Sequence, residues 1–121
     1  MGLLDRAVAH FKGLPTECIE VPEWGDENGP AKLYYTIPTL ADVEKAQRAA
    51  KGNFSEMAVR LIVIKAQDEN GAPLFQQGDH LKLMKQCDPA IVSRISAEIS
   101  KHLAAPDPKE AEKNSETISE D

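Results

Sequence analysis

N-F-S-E-M-A-V-R-L-I-V-I-K, Asn53 to Lys65, is the stretch whose reading decides the fold. Its second half, R-L-I-V-I-K, is rich in β-branched residues and is good strand material. Its first half reads differently. Asn53 is a favourable helix N-cap, and Glu56 stands three residues on, at the reciprocal position of a capping box. Phe54, Met57, Ala58, Leu61, Ile62, Val63 and Ile64 then distribute apolar side chains around most of a helical cylinder. Periodicity alone does not exclude a strand, but a pattern of this length selects a helix. A helix apolar on most sides is buried. The segment is therefore predicted to be the central helix, with the rest of the chain packed around it.

The flanking segments repeat the same chemistry. In Pro38–Gly52, Thr39 can cap a helix, Asp42 is a weaker capping-box partner than Glu, Leu40, Val43 and Ala50 mark an apolar face, and Gly52 stops it. Downstream, Asp68-Glu69-Asn70-Gly71 is a turn and Ala72–Phe75 a short extended piece. Asp79 can cap a helix carrying Leu81, Leu83 and Met84. Asp88-Pro89 opens another, with Asp as N-cap and Pro at the first helical position. In that last helix Ile91, Ile95 and Ile99 recur at i, i+4 and i+8, beside Val92 and Leu103, while Ser93, Arg94, Ser96, Ser100 and Lys101 form the outer face.

Before the helices come two β patterns, E-C-I-E-V (Glu17–Val21) and A-K-L-Y-Y-T-I (Ala31–Ile37). They predict antiparallel strands joined by a wide loop, P-E-W-G-D-E-N-G-P, with Asn28-Gly29 as its turn signal and Pro22 and Pro30 bounding the strands. At the N-terminus, Leu3, Leu4, Val8 and Phe11 mark a short amphipathic helix or a mobile arm, ended by Gly13 and Pro15. Residues 105–121 hold one Ile and no aromatic side chain. They cannot bury enough apolar surface to offset a backbone ordering cost of about 1–2 kcal/mol per residue, so disorder is expected there. The expected class is α+β: a β-hairpin on a bundle of four or so short helices, organised as an N-terminal segment (1–16), one domain (17–104) and an acidic tail (105–121).

Charge narrows the function. The 121 residues include 20 acidic and 14 basic side chains, a net charge of −6. Six acidic residues and two lysines within Pro106–Asp121 account for −4, leaving −2 on the rest. That balance argues against nucleic acid, whose phosphates demand Lys and Arg, and against an anionic membrane surface. No run approaches the ~18–20 apolar residues of a membrane span. Met1–Gly13 lacks the pattern of a signal peptide. Gly2 does not begin a myristoylation motif, because Arg6 stands where Ser or Thr is required. Cys18 and Cys87 form no CxxC pair and no zinc spacing, which suits two reduced, partly buried thiols in a cytoplasmic chain.

Candidate chemistry is sparse. His10, His80 and His102 have no second His at i+4 and no Cys at ligand spacing, so no metal is expected. Asp68-x-Asn70 starts like a calcium loop, but its Gly falls at the fourth position instead of the sixth. Phosphate-cradling, dinucleotide and serine-nucleophile motifs are absent from the sequence. Asp42, Asp79 and Asp88 serve as helix caps or first-turn charges. Cys87 lies near a helix start that could lower its pKa, yet no His is placed as its base. No catalytic residue and no cofactor is expected. Trp24, in a Gly- and Pro-flanked loop, is either a lid on the core or a partner contact. The Ile91, Ile95, Ile99 stripe and the Leu3, Leu4, Val8, Phe11 face each either join the core or grip a partner.

Two strings stand in a telling order. V-P-E-W-G spans Val21, Pro22, Glu23, Trp24 and Gly25. Some forty residues later comes D-E-N-G-A-P-L-F, with Asp68, Gly71, Leu74 and Phe75, followed by the helix start at Asp79. This order resembles the small tail assembly chaperones of long-tailed phages and prophages, over roughly residues 17–103. Residues 1–16 are extra to that pattern, the connection at Asp26–Pro30 is longer, and Thr36–Thr39 lacks a basic residue. The resemblance implies a non-enzymatic protein of the bacterial host cytoplasm. Its implied partners are the helical tape-measure protein, other tail proteins and further copies of itself, through helix-in-groove contacts. A small structural virion protein, in the tail or at the head–tail connection, shares the same acidic, motif-poor composition.

Overall fold

The computed structural model describes residues 2–103. Met1 and residues 104–121, including the tail predicted over 105–121, lie outside the described residues. The fold is α+β. In chain order it comprises α1 (Leu3–Lys12), β1 (Glu17–Asp26), β2 (Gly29–Tyr35), α2 (Leu40–Ala50), α3 (Phe54–Lys65), α4 (His80–Lys85), α5 (Pro89–Ser100) and a single 3-10 turn, Lys101–Leu103.

The Asn53–Lys65 stretch is helical, as its capping chemistry predicted. Asn53 accepts from the Glu56 amide at 2.9 Å, and the helix ends at Ala66. The Glu56 carboxylate does not close the box. It turns along the helix to Arg60 instead, at 3.1 Å. α3 packs on α2, α4 and α5, so it is the central helix. Its neighbour α2 has a full capping box, with Asp42 Oδ2 accepting from the Thr39 amide and Thr39 Oγ1 from the Asp42 amide. Asp42 also accepts from Lys65 Nζ at 3.0 Å, which ties the start of α2 to the end of α3. Burial alone would raise this carboxyl; the Thr39 amide and the Lys65 ammonium outweigh it, and its pKa is lowered.

Five expectations are corrected. The wide loop is strand: β1 continues through P-E-W-G to Asp26, and only Glu27 and Asn28 separate it from β2. Pro22 and Pro30 accordingly lie within the strands. A two-stranded sheet has unpaired edges where a missing N–H does no harm. Leu40 faces solvent at 85% exposure, and Ala46 and Ala50 supply the buried side of α2. Asp79 makes no forward cap; its Oδ2 reaches back to the Gln76 amide at 2.8 Å. Cys18 is exposed, since its β position points away from the core face of Ile19 and Val21.

One core joins the hairpin to the helices. Ile19, Val21, Leu33 and Tyr35 from the hairpin meet Val59, Leu61 and Ile62 of α3 and Ile91, Val92, Ile95 and Ile99 of α5. The buried Tyr35 hydroxyl donates to the Glu98 carbonyl at 3.0 Å. Its single proton is then used, so His102 Nε2, 2.9 Å away, must be the donor to the Tyr35 oxygen. Burial pushes the Tyr35 hydroxyl up to about 12.

The two sequence strings have structural explanations. Register runs Val21↔Ala31 and then Asp26↔Gly29, so Pro22–Gly25 bulge opposite Pro30 alone. The bulge turns Trp24 onto the core and sends Glu23 outward to Arg94 of α5. A Cβ on Gly25 would strike the Gly29 carbonyl oxygen and come within 2.8 Å of the Pro30 Cα. Both are backbone atoms, which cannot swing aside. Gly25→Ala should therefore destabilise the chain by about 1–3 kcal/mol, an overpacking cost, whereas Gly13→Ala, with nothing nearer than 3.5 Å, should be close to neutral. Paired urea titrations of the two variants measure the contrast. Farther on, Asp68 Oδ1 accepts from the Asn70 and Ala72 amides, Gly71 takes φ +88°, and Gln67 exchanges backbone hydrogen bonds with Tyr34 at 2.8 and 2.9 Å. Phe75 then packs against the core.

Candidate partner-binding groove

The Ile stripe of α5 is spent on folding. Ile91, Ile95 and Ile99 are buried, which removes them from the candidate contact surfaces. The reason is geometric: i, i+4, i+8 spacing holds them on one side, and the hairpin and α3 cover that side. Trp24 is half-buried against the core. Of the motif residues, Glu23, Gly25, Asp68, Gly71 and Asp79 have the backbone or ion-pair roles given above, Val21 is core, and Pro22 and Leu74 are exposed. The N-terminal face is the opposite case. Leu3 and Leu4 are 75% and 76% exposed, Val8 and Phe11 are also exposed, and α1 buries no residue.

A different surface emerges on the far side of α5. A groove of about 480 Å³ runs between α3 and α5, with Leu83 and Met84 of α4 also lining it. Met57, Val59, Leu83 and Val92 supply apolar floor, and Ser93, Ser96, Ala97 and Ser100 form the α5 wall. Among the described residues no charged side chain lines it. Phe54 stands at its rim with 79% of its surface in water. The same ring borders a second depression of about 370 Å³ with Gln47, Gly52, Asn53 and Met57. Phe54 is thus an exposed aromatic between two apolar hollows.

These residues were not singled out by sequence reading. Phe54 counted as one more apolar residue of a buried helix. Its place in the first turn, directly after the cap, lifts it clear of the core. The serines counted as a solvated face. With Ala97 they fall at 93, 96, 97 and 100, a helical spacing that places four small side chains in a row. Small residues in a row lower one wall of a groove and let a helix approach closely. That was the available signal.

Electrostatics act at the opposite edge of α5. Arg94 grips Glu23 with two hydrogen bonds of 2.8 and 3.0 Å, and the guanidinium holds the Glu23 carboxyl down from 4.5 to about 2. A carboxyl depressed by folding contributes its full stability above about 4.5, and that contribution is lost as pH falls toward 2. The pair lies at the surface, so the effect is small and weakened by salt. The stability gap between the parent chain and Glu23→Gln should therefore close as urea midpoints are measured from pH 5 down to 2. A gap that ignores pH would contradict the pairing.

Among the described residues no group of three His, Cys, Asp or Glu side chains could hold a metal ion. Nor is any described helix long and apolar enough to cross a membrane.

No family model matches the chain. The search of curated proteins gives no match either. The fold does match a solved structure, the tail assembly chaperone of bacteriophage HK97. That match covers 85% of this chain and 99% of the other, with a TM-score of 0.52 and 16% identity. At that identity the likeness is one of fold.

Proposed function

We propose that this chain is a non-enzymatic tail assembly chaperone, acting in the cytoplasm of a bacterial host, whose α3–α5 groove holds a helical segment of the tape-measure protein. The observation that carries the reading is the uncharged groove with Phe54 at its rim, on a fold shared with a phage tail assembly chaperone. A helix laid in such a groove buries an apolar stripe and needs no reactive group. A long helical client offers many such stripes. Contacts of modest strength, repeated by several copies, then hold it by avidity and can be displaced one at a time as the tail tube forms. Self-association among bound copies fits the same picture.

Co-expression tests the reading. A tape-measure protein from the same phage or prophage should become several-fold more soluble in this chain's presence. Unchanged solubility would count against the chaperone role. Detection of the chain in purified, mature particles would favour a structural virion component instead.

A further inference from the structure

The chain carries a helix without a groove and a groove without a helix. α1 is ten residues long, and Gly2 gives it no side-chain cap. A helix that short is marginal in water on its own propensity. Its Leu3, Leu4, Val8 and Phe11 lie on one face, next to Leu14; Leu3 and Leu4 are about three-quarters exposed, and Val8, Phe11 and Leu14 keep between a third and a half of their surface in water. Asp5, Arg6, His10 and Lys12 occupy the other faces. The apolar face is free of charge, as is the lining of the α3–α5 groove. Lengths also agree: ten residues of α1 span about 15 Å, and the α5 wall from Pro89 to Ser100 spans about 17 Å.

We infer that, before a client is bound, α1 of one copy docks in the α3–α5 groove of a second copy and is displaced when the client helix enters. The tether disfavours its own groove. Only Gly13–Thr16 separate α1 from β1, and four residues reach at most about 14 Å. β1 begins at Glu17, whose carboxylate lies 3.9 Å from His102. That is the side of α5 from which Arg94 meets Glu23 and the Glu98 carbonyl meets Tyr35. The groove opens on the opposite side, at Ser93, Ser96, Ala97 and Ser100, with a helix 10–12 Å thick between. Rounding α5 would consume the linker before α1 could lie along the groove. A second copy has no such constraint. The area is sufficient too. The exposed α1 face offers roughly 500 Å² of apolar surface, the scale of a functional patch. The groove exposes less surface than the helix does, so one insertion buries roughly 700 Å² over both partners and a reciprocal exchange roughly 1,400 Å², within the range of standard stable interfaces.

The inference rests on the groove being a helix receptor, and the test separates the two. In a Cys18→Ser, Cys87→Ala background, one preparation carries Val8→Cys and another Ser96→Cys. Circular dichroism verifies that each folds. Mixing under mild oxidation should give a cross-linked dimer that neither preparation gives alone. Removing residues 1–14 from the parent chain should lower the mass at sedimentation equilibrium from dimer to monomer. Three results would overturn the exchange: no hetero-dimer on mixing, a Val8→Cys dimer formed alone, or a doubly substituted chain that closes on itself as a monomer. If those appear while the groove still solubilises the tape-measure protein, the exchange fails and the receptor reading stands. Failure of both removes the groove as a binding site.

Discussion

Ile95→Ala should lower stability by about 3 kcal/mol, while Leu40→Ala should change it by less than about 0.5 kcal/mol. Both residues are branched aliphatics on amphipathic helices, so composition and spacing alone would rank them together. Burial separates them. Ile95 is 0% exposed at the centre of α5, between Ile91 and Ile99, where the hairpin and α3 meet. Truncating it loses the transfer energy of three carbons and opens a cavity that close-packed neighbours cannot fill. Leu40 is 85% exposed and leaves water where water already was. In a domain of this size a 3 kcal/mol loss lowers Tm by roughly 12–24 °C. Thermal melts of the two variants beside the parent decide the matter. Equal shifts would mean that the core does not lie where Ile95, Ile62 and Tyr35 place it.

That contrast also shows which parts of the fold a sequence can disclose. Helices were legible where caps and apolar spacing agreed: Thr39 with Asp42, Asn53 before Phe54, Asp88 before Pro89. Each involves groups within four residues of one another, so no distant partner has to be known. The hairpin was legible as two strands but not in its extent. Pro22 and Gly25 argue locally for a loop. What makes them strand is the partner across the ladder, because Pro22–Gly25 bulge over Pro30. Leu40 and Phe54 were misjudged for a related reason. Both are apolar residues at the first helical position after a cap, where a side chain projects past the end of the packed layer.

The candidate site was less legible than the fold. Glu23, Gly25, Asp68, Gly71 and Phe75, the residues that carry the family resemblance, are used to bend the hairpin, form the turn and anchor it to the core. They account for the shape of this chain's own hairpin and turn. The proposed client surface lies where such strings do not reach. The groove is assembled from three helices, and its lining comes from residues 54 to 100. The row of small residues on α5 hints at a low wall, but only the packing shows that α3 and α5 stop short of filling the space between them.

On the proposed function, Phe54→Asp should abolish solubilisation of the tape-measure protein without disturbing the fold. The fold should survive because Phe54 has 79% of its surface in water and contributes little to the core. Aspartate at the first position of α3 even favours the helix, since a negative charge there faces the positive end of the macrodipole. A melt at or slightly above that of the parent is therefore expected. Binding is another matter. An exposed aromatic beside an apolar hollow has the character of an interface anchor, and loss of such an anchor costs about 2–4 kcal/mol, some 30- to 1,000-fold in affinity. The aspartate also places a charge beside a lining that has none, which deepens the loss. Ser96→Trp provides an independent test from the opposite wall, by filling the groove instead of removing its anchor. The two variants should fail alike in co-expression, and Leu40→Asp, outside the groove, should behave as the parent does. If Phe54→Asp and Ser96→Trp both still solubilise the client, the client is held elsewhere, and the exposed face of α1 becomes the surface to dissect.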